Sequence, residues 1–174
     1  DDEDDTGWEL ITTAEQLIDL ANVEDVPVDR QGTSLQAVEW AKKYRLKGDI
    51  DFSKLSAEYE AKSKSIGNVQ NRFTGVLDGN GYKLTGLTLS NHDAGLFEYI
   101  GAEGLVYDLT IEGANVQFSD NAAVLAMNNY GTVLNCAVIN TNITSDVGAV
   151  MGGMVSRNYG VIRNSYVLGG KLTS

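Results

Sequence analysis

The chain has one cysteine, one histidine and one proline among 174 residues, and each scarcity removes a class of protein. With Cys136 alone no intrachain disulfide can form, so packing must hold the fold. With His92 alone, neither a multi-ligand His/Cys zinc site nor an HExxH helix can be built. Basic residues are few, 13 Lys and Arg against 24 Asp and Glu, for a formal charge of −11. The phosphate-neutralising patch that nucleic acid or an anionic membrane surface would need is therefore missing. No apolar run reaches the roughly 18 residues of a membrane span, and no basic-then-apolar leader opens the chain, as would also hold for a trimmed product. The expectation is no nucleic acid, no membrane insertion, no metal and no cofactor.

What the chain does contain is glycine, 19 residues, within a composition that is 43% hydrophobic. That is too glycine-rich for a helical bundle and apolar enough for a packed interior, which points to a turn-rich β protein. Five carboxylates, Asp1 to Asp5, open the chain, and residues 1–7 read as an acidic, flexible tether. Residues 8–43 read as a helical N-terminal cap. Within it Thr12 to Asn22 carries a capping Thr12 or Thr13, a returning Glu15 or Gln16, and one apolar face of Leu17, Ile18, Leu20 and Ala21. Ser34 to Lys43 reads as a second helix with Ser34 as N-cap and Lys42 and Lys43 at the dipole's negative end. From Tyr44 the period changes: Tyr44, Leu46, Ile50 and Phe52 alternate around a turn at Lys47-Gly48-Asp49. Ser53 to Arg72 reads as an excursion anchored by Leu55, Tyr59 and Ile66, with room for another short helix.

After Phe73 the sequence repeats. Gly104 to Glu112, Gly131 to Ile139 and Gly160 to Leu168 superimpose without gaps, and Leu84 to Leu89 reads as a looser copy of Val106 to Ile111. Taken at Leu84, Val106, Val133 and Ile162, equivalent positions are about 20 to 30 residues apart, a unit too small to enclose a core and obliged to stack on its neighbours. Residues 44–174 therefore read as four or five rungs of a solenoid, a parallel β-helix, with inward apolar columns and one corner marked by Asp108, Asn135 and Asn164. A ladder of those side chains would satisfy backbone groups. The competing reading is a β-sandwich, because Asp78-Gly79-Asn80-Gly81 is a strong hairpin signal.

The repeat text resembles the GLUG-type repeats of bacterial secreted and surface proteins. The residues that carry the resemblance are Gly152 to Gly170, a diverged copy at Val124 to Cys136, and the openings Tyr44 to Ser53, Phe73 to Leu89 and Gly95 to Phe97. It implies a mainly β fold, a right-handed parallel β-helix with an α-helical cap, in an extracellular or cell-surface protein of a bacterium. Related repeats occur in adhesin-like proteins and in non-catalytic regions of immunoglobulin A protease-like enzymes. Val124-Leu125 stands where the glycine pair Gly152-Gly153 would be expected, which puts the regularity of that rung in question.

No catalytic residues are assigned. His92 and Asp93 sit side by side in a polar turn, and Asp78, Asp93, Asp108 and Asp120, which a polysaccharide lyase would have to converge, fall in separate turns. The candidate ligand contacts are aromatic: Tyr99, Tyr130, Tyr159 and Tyr166 recur near rung corners, although Tyr130 and Tyr159 share one repeat position and so also suit a packing column. The expected function is a non-catalytic surface module for adhesion, binding an extracellular glycan or a host or matrix protein. The alternative is a non-catalytic accessory region of a larger secreted protease or polysaccharide-degrading enzyme. Because Gly169 to Ser174 ends on a bare strand, further rungs or another chain are expected at that edge.

Overall fold

A three-residue strand leaves backbone donors and acceptors unpaired along both sides, so it persists only between partners. In this protein the partners are the turns of the coil before and after. The computed structural model describes residues 4–90, 95–118, 121–145 and 150–173; Asp1, Asp2, Glu3, His92, Asp93 and Asp120 fall outside them. All pairings between its strands are parallel and wind the chain into a β-solenoid of about 4 turns.

Among the described residues four sheets form the main faces of the coil, and a fifth pairs Ala122–Ala123 with Met151–Gly152. The first stacks Glu9–Ile11, Lys43–Leu46, Val76–Asp78, Leu105–Tyr107, Thr132–Leu134 and Val161–Arg163. The second stacks Ile50–Asp51, Lys83–Thr85, Thr110–Glu112, Ala137–Ile139 and Tyr166–Leu168. The third runs from Thr88–Ser90 through Asn115–Phe118 and Asn142–Ser145 to Lys171–Thr173. The fourth holds Phe97–Ile100, Ala126–Asn129 and Val155–Asn158. Alternation along each strand sends one residue inward per turn. The inward residues form columns: Tyr44, Leu77, Val106, Val133 and Ile162; Ile50, Leu84, Ile111, Val138 and Val167; Leu89, Val116, Ile143 and Leu172.

The register corrects one alignment made from sequence. Val106 pairs with Leu77, and Leu84 pairs with Ile111, so Leu84 to Leu89 is not a copy of Val106 to Ile111. Leu84 to Leu89 runs from the second face to the third and Val106 to Ile111 from the first to the second, and the two match because both are a strand, a two-residue corner and a strand. The corner from Gly79 to Tyr82 in addition holds two residues more than its counterpart at Asp108 and Leu109. The same corner answers the hairpin reading. Val76–Asp78 and Lys83–Thr85 lie in different sheets, so the Asp-Gly-Asn-Gly segment turns a coil rather than reversing a ribbon. Val124-Leu125 also proves regular: Ala123 pairs with Gly152 and Ala126 with Val155, and the ladder continues between them.

At the N-terminal end, α1 (Ala14–Ala21) has a capping box in which Gln16 N–H donates to Thr13 Oγ1 and Thr13 N–H to Gln16 Oε1. Its apolar face joins the continuous core. Helix α2 (Leu35–Glu39) is capped by Ser34 but is shorter than the sequence suggested. It stops at Trp40, whose buried indole N–H donates to the Leu20 carbonyl at 2.9 Å; Lys43 already belongs to a strand. The segment read as a purely helical cap also supplies the first strand of the first face, where Ile11 pairs with Leu46. The excursion after Ile50–Asp51 contains a 3-10 turn (Phe52–Lys54) and α3 (Ala57–Ala61).

Core residues of the last described turn face solvent. Ile143 is 1% exposed whereas Leu172, next in the same column, is 54% exposed. The Leu89→Ala substitution, at the opposite and buried end of that column, is therefore expected to cost about 2–5 kcal/mol, and Leu172→Ala less than about 0.5 kcal/mol. Urea denaturation midpoints of the two variants measure the difference.

Candidate functional site

The tripeptide Asn-Tyr-Gly occurs at two successive corners between the fourth and first faces, as Asn129-Tyr130-Gly131 and Asn158-Tyr159-Gly160. Each residue has a separate task. Asn129 is fully buried; its Oδ1 accepts the Gly131 N–H at 3.1 Å, and its Nδ2 donates to Asn158 Oδ1 at 2.7 Å. The ladder that satisfies this turn is thus Asn129–Asn158, with Asn129 buried and Asn158 on the exposed last turn. At the corner expected to hold it, Asp108, Asn135 and Asn164 do share positive φ, and Asn135 Nδ2 donates to Asp108 Oδ1, but on the exposed surface. Gly131 and Gly160 permit the close approach of turns: a Cβ on either would overlap a carbonyl oxygen of the preceding turn.

With asparagine inside and glycine against the backbone, tyrosine is directed outward. The Tyr130 and Tyr159 rings stack with centroids 4.7 Å apart and planes inclined by 16°, which matches the strand spacing of about 4.8 Å. The Arg72 guanidinium covers the other side of Tyr130 at 4.2 Å and lies 5.6 Å from the Tyr99 ring. Tyr159 remains 62% exposed. Tyr99, Tyr130 and Tyr159 therefore gather on one edge of the coil, joined by Arg72, which sequence reasoning did not single out. Tyr166 does not join them; it pairs beside Ala137 on the second face. The edge offers ring faces and a cation, suited to stacking against sugar rings or apolar and acidic side chains.

Of the acidic candidates, Asp93 and Asp120 lie outside the described residues, and Asp78 and Asp108 are engaged elsewhere. Asp78 is 4% exposed, accepts from Arg45 Nε at 2.9 Å on Oδ2, and accepts the Asn80 N–H on Oδ1. Turn chemistry alone therefore does not explain it. Arg45 also donates to Asp5 Oδ1 at 3.1 Å and lies 4.1 Å from the Trp8 ring, while Lys47 binds the other Asp5 oxygen at 3.0 Å. Asp5, read as part of the tether, is thus tied to the first turns of the coil. Hydrogen bonding from Lys47, and then from Arg45, holds its carboxyl below the usual range. A depressed folded value means that this tie is complete above the carboxyl's unfolded value near 3.8 and fades as the pH falls further. Replacing Arg45 with Ala leaves Asp78 charged and nearly buried, and should lower stability by about 3–5 kcal/mol; thermal and urea unfolding against the wild-type chain measure it.

Among the described residues no group of three or more His, Cys, Asp or Glu is placed to hold a metal ion. No helix there is long and apolar enough to cross a membrane. Cys136 is buried, its backbone N–H accepted by Ser165 Oγ at 3.0 Å, and burial pushes its thiol up to about 11. Native protein at neutral pH should accordingly resist a thiol reagent such as dithionitrobenzoate and react stoichiometrically once unfolded in guanidinium.

Two relatives are similar to this coil. Over 149 residues the chain is 37% identical to a protein of Evansella cellulosilytica provisionally described as a Gly-rich membrane protein, an alignment covering 66% of this chain and 17% of that one. It is 31% identical over 117 residues to halomucin of Haloquadratum walsbyi, covering 63% of this chain and 1% of the relative. The chain thus spans only a small part of either protein. No family model matches the sequence, and no solved structure matches it. The parallel solenoid and its likeness to a Gly-rich membrane protein fit a surface-type module.

Proposed function

We propose that this chain is a non-catalytic adhesion module of a cell-surface protein, in which the coil is a rigid scaffold and the Arg72–Tyr99–Tyr130–Tyr159 edge is a contact surface. The carrying observation is the stacked tyrosine pair with the Arg72 guanidinium beside it, supported by the bonded Asn129–Asn158 pair. Such rings lose little conformational entropy on binding, because the corner already holds them. The ligand is an extracellular glycan or a matrix protein. The resemblance to GLUG-type surface repeats and the membrane description of the Evansella relative support an external location. A second reading, a non-catalytic region of a larger secreted enzyme, draws on the small share of both relatives that the chain spans.

Probing the folded chain on glycan and matrix-protein arrays should yield at least one ligand, with Tyr159→Ala weakening it tenfold or more. An array without hits overturns the adhesion reading. Cleavage of any polysaccharide in a panel of acidic and neutral substrates overturns the non-catalytic one.

A further inference from the structure

The third face of the coil begins one turn late. Later turns each place a strand there, whereas the first turn fills that position with the 3-10 turn and α3. Thr88–Ser90 consequently pairs with Asn115–Phe118 on one side only. On its other side, between the strand and the excursion, lies an open groove of about 600 Å³. That size falls within the usual range for ligand pockets, about 300–1,000 Å³.

The groove has an apolar floor of Phe52, Leu55 and Ala61 and walls rich in hydroxyls. Gly86 sits at its back with positive φ, and a Cβ there would press on Ser53. Ser63 Oγ reaches the Thr88 carbonyl at 3.4 Å and ties the excursion to the strand. By contrast, the Thr88 and Ser90 hydroxyls and the Asn115 Nδ2 are exposed and have no hydrogen-bond partner among the described residues. Thr88 pairs with Asn115, and Ser90 with Gln117, so these groups open a regular polar field. It continues through Asn142 and Thr144 to Lys171 and Thr173, in rows about 4.8 Å apart.

The chemistry of this field is selective. In a chain of formal charge −11, its described outward positions carry no carboxylate and one cation, Lys171, in the row farthest from the groove, and among the described residues Glu60 is the only acidic group lining the groove. Hydroxyls and amides both donate and accept, so they match the hydroxyls of a sugar. They cannot neutralise a sulfate, phosphate or uronate. An apolar floor beneath them suits the C–H face of a sugar ring. A strand of three residues is, in addition, a short edge for an extended peptide to pair with.

We propose that this groove and the polar face beyond it bind a segment of neutral glycan. The inference rests on the reading of the chain as a ligand-binding module, but places a site away from the tyrosine edge. Calorimetric titration of the folded chain with cellohexaose, xylohexaose and chitohexaose tests it, with oligogalacturonate and an extended threonine-rich peptide as competing probes. At least one neutral hexasaccharide should bind, and Thr88→Val and Asn115→Asp, both at exposed positions, should each weaken it tenfold or more while circular dichroism stays unchanged. The loss should exceed that caused by Tyr159→Ala. If only Tyr159→Ala weakens binding, the groove is overturned and the adhesion reading stands. Preference for oligogalacturonate or for the peptide overturns the neutral-glycan assignment. No binding by any probe overturns it as well, while a ligand found on the matrix-protein array would still uphold adhesion.

Discussion

No single turn of this chain can bury its own apolar residues, and the structure depends on that constraint. A turn of 27 or 29 residues contributes one or two inward side chains per strand, which have no interior until an equivalent set lies above and below. Parallel pairing in register provides both requirements together, since the same backbone bonds that satisfy the strand edges also align Leu77 with Val106 and Val133. Register follows from burial, because a slip of one residue would exchange Val133 for Thr132 or Leu134 in the column. The contrast between Ile143 and Leu172 shows the same dependence: identical positions in the coil differ in exposure according to whether a further turn covers them.

Regular stacking inside imposes regular stacking outside. Every outward residue acquires a neighbour about 4.8 Å away, so the chemistry of a surface is set by which residue types recur at one position. Tyrosine recurring beside the Asn129–Asn158 ladder gives stacked rings. Thr, Asn, Gln and Ser recurring on the third face give a polar field without carboxylates among the described residues. The two surfaces would serve a binding module differently, one through ring faces and a guanidinium, the other through paired donors and acceptors. Both are held by backbone that cannot shift without disturbing the core.

Much of this was legible locally. Thr12 or Thr13, Glu15 or Gln16, and Ser34 marked helix starts because capping acts over three residues, and the structure selects Thr13 with Gln16. The gap-free copies at Gly104, Gly131 and Gly160 revealed the stacking, and the shared position of Tyr130 and Tyr159 anticipated a stacked pair. Where sequence reasoning missed, the determining contact lay across turns. Leu84 to Leu89 looked like Val106 to Ile111 because strands on neighbouring faces share one local pattern, and only the pairing across turns separates them. Asp78 looked like a turn residue until Arg45, 33 positions earlier, came alongside it. Arg72 carried no pattern of its own, yet folding places it over Tyr130.

By itself the sequence determined that the chain coils, because a periodic arrangement of apolar residues has one economical way to be buried and the period is written along the chain. It also determined what the fold must do without: an intrachain disulfide, a zinc site of several His and Cys ligands, and a net basic charge. Only the tertiary structure decided which asparagines bond one another, which tyrosines share an edge, and where the late start of the third face opens a groove. Those features arise between residues about 30 or more positions apart, brought together by stacking, and a linear pattern specifies that turns stack without specifying which outward side chains then meet.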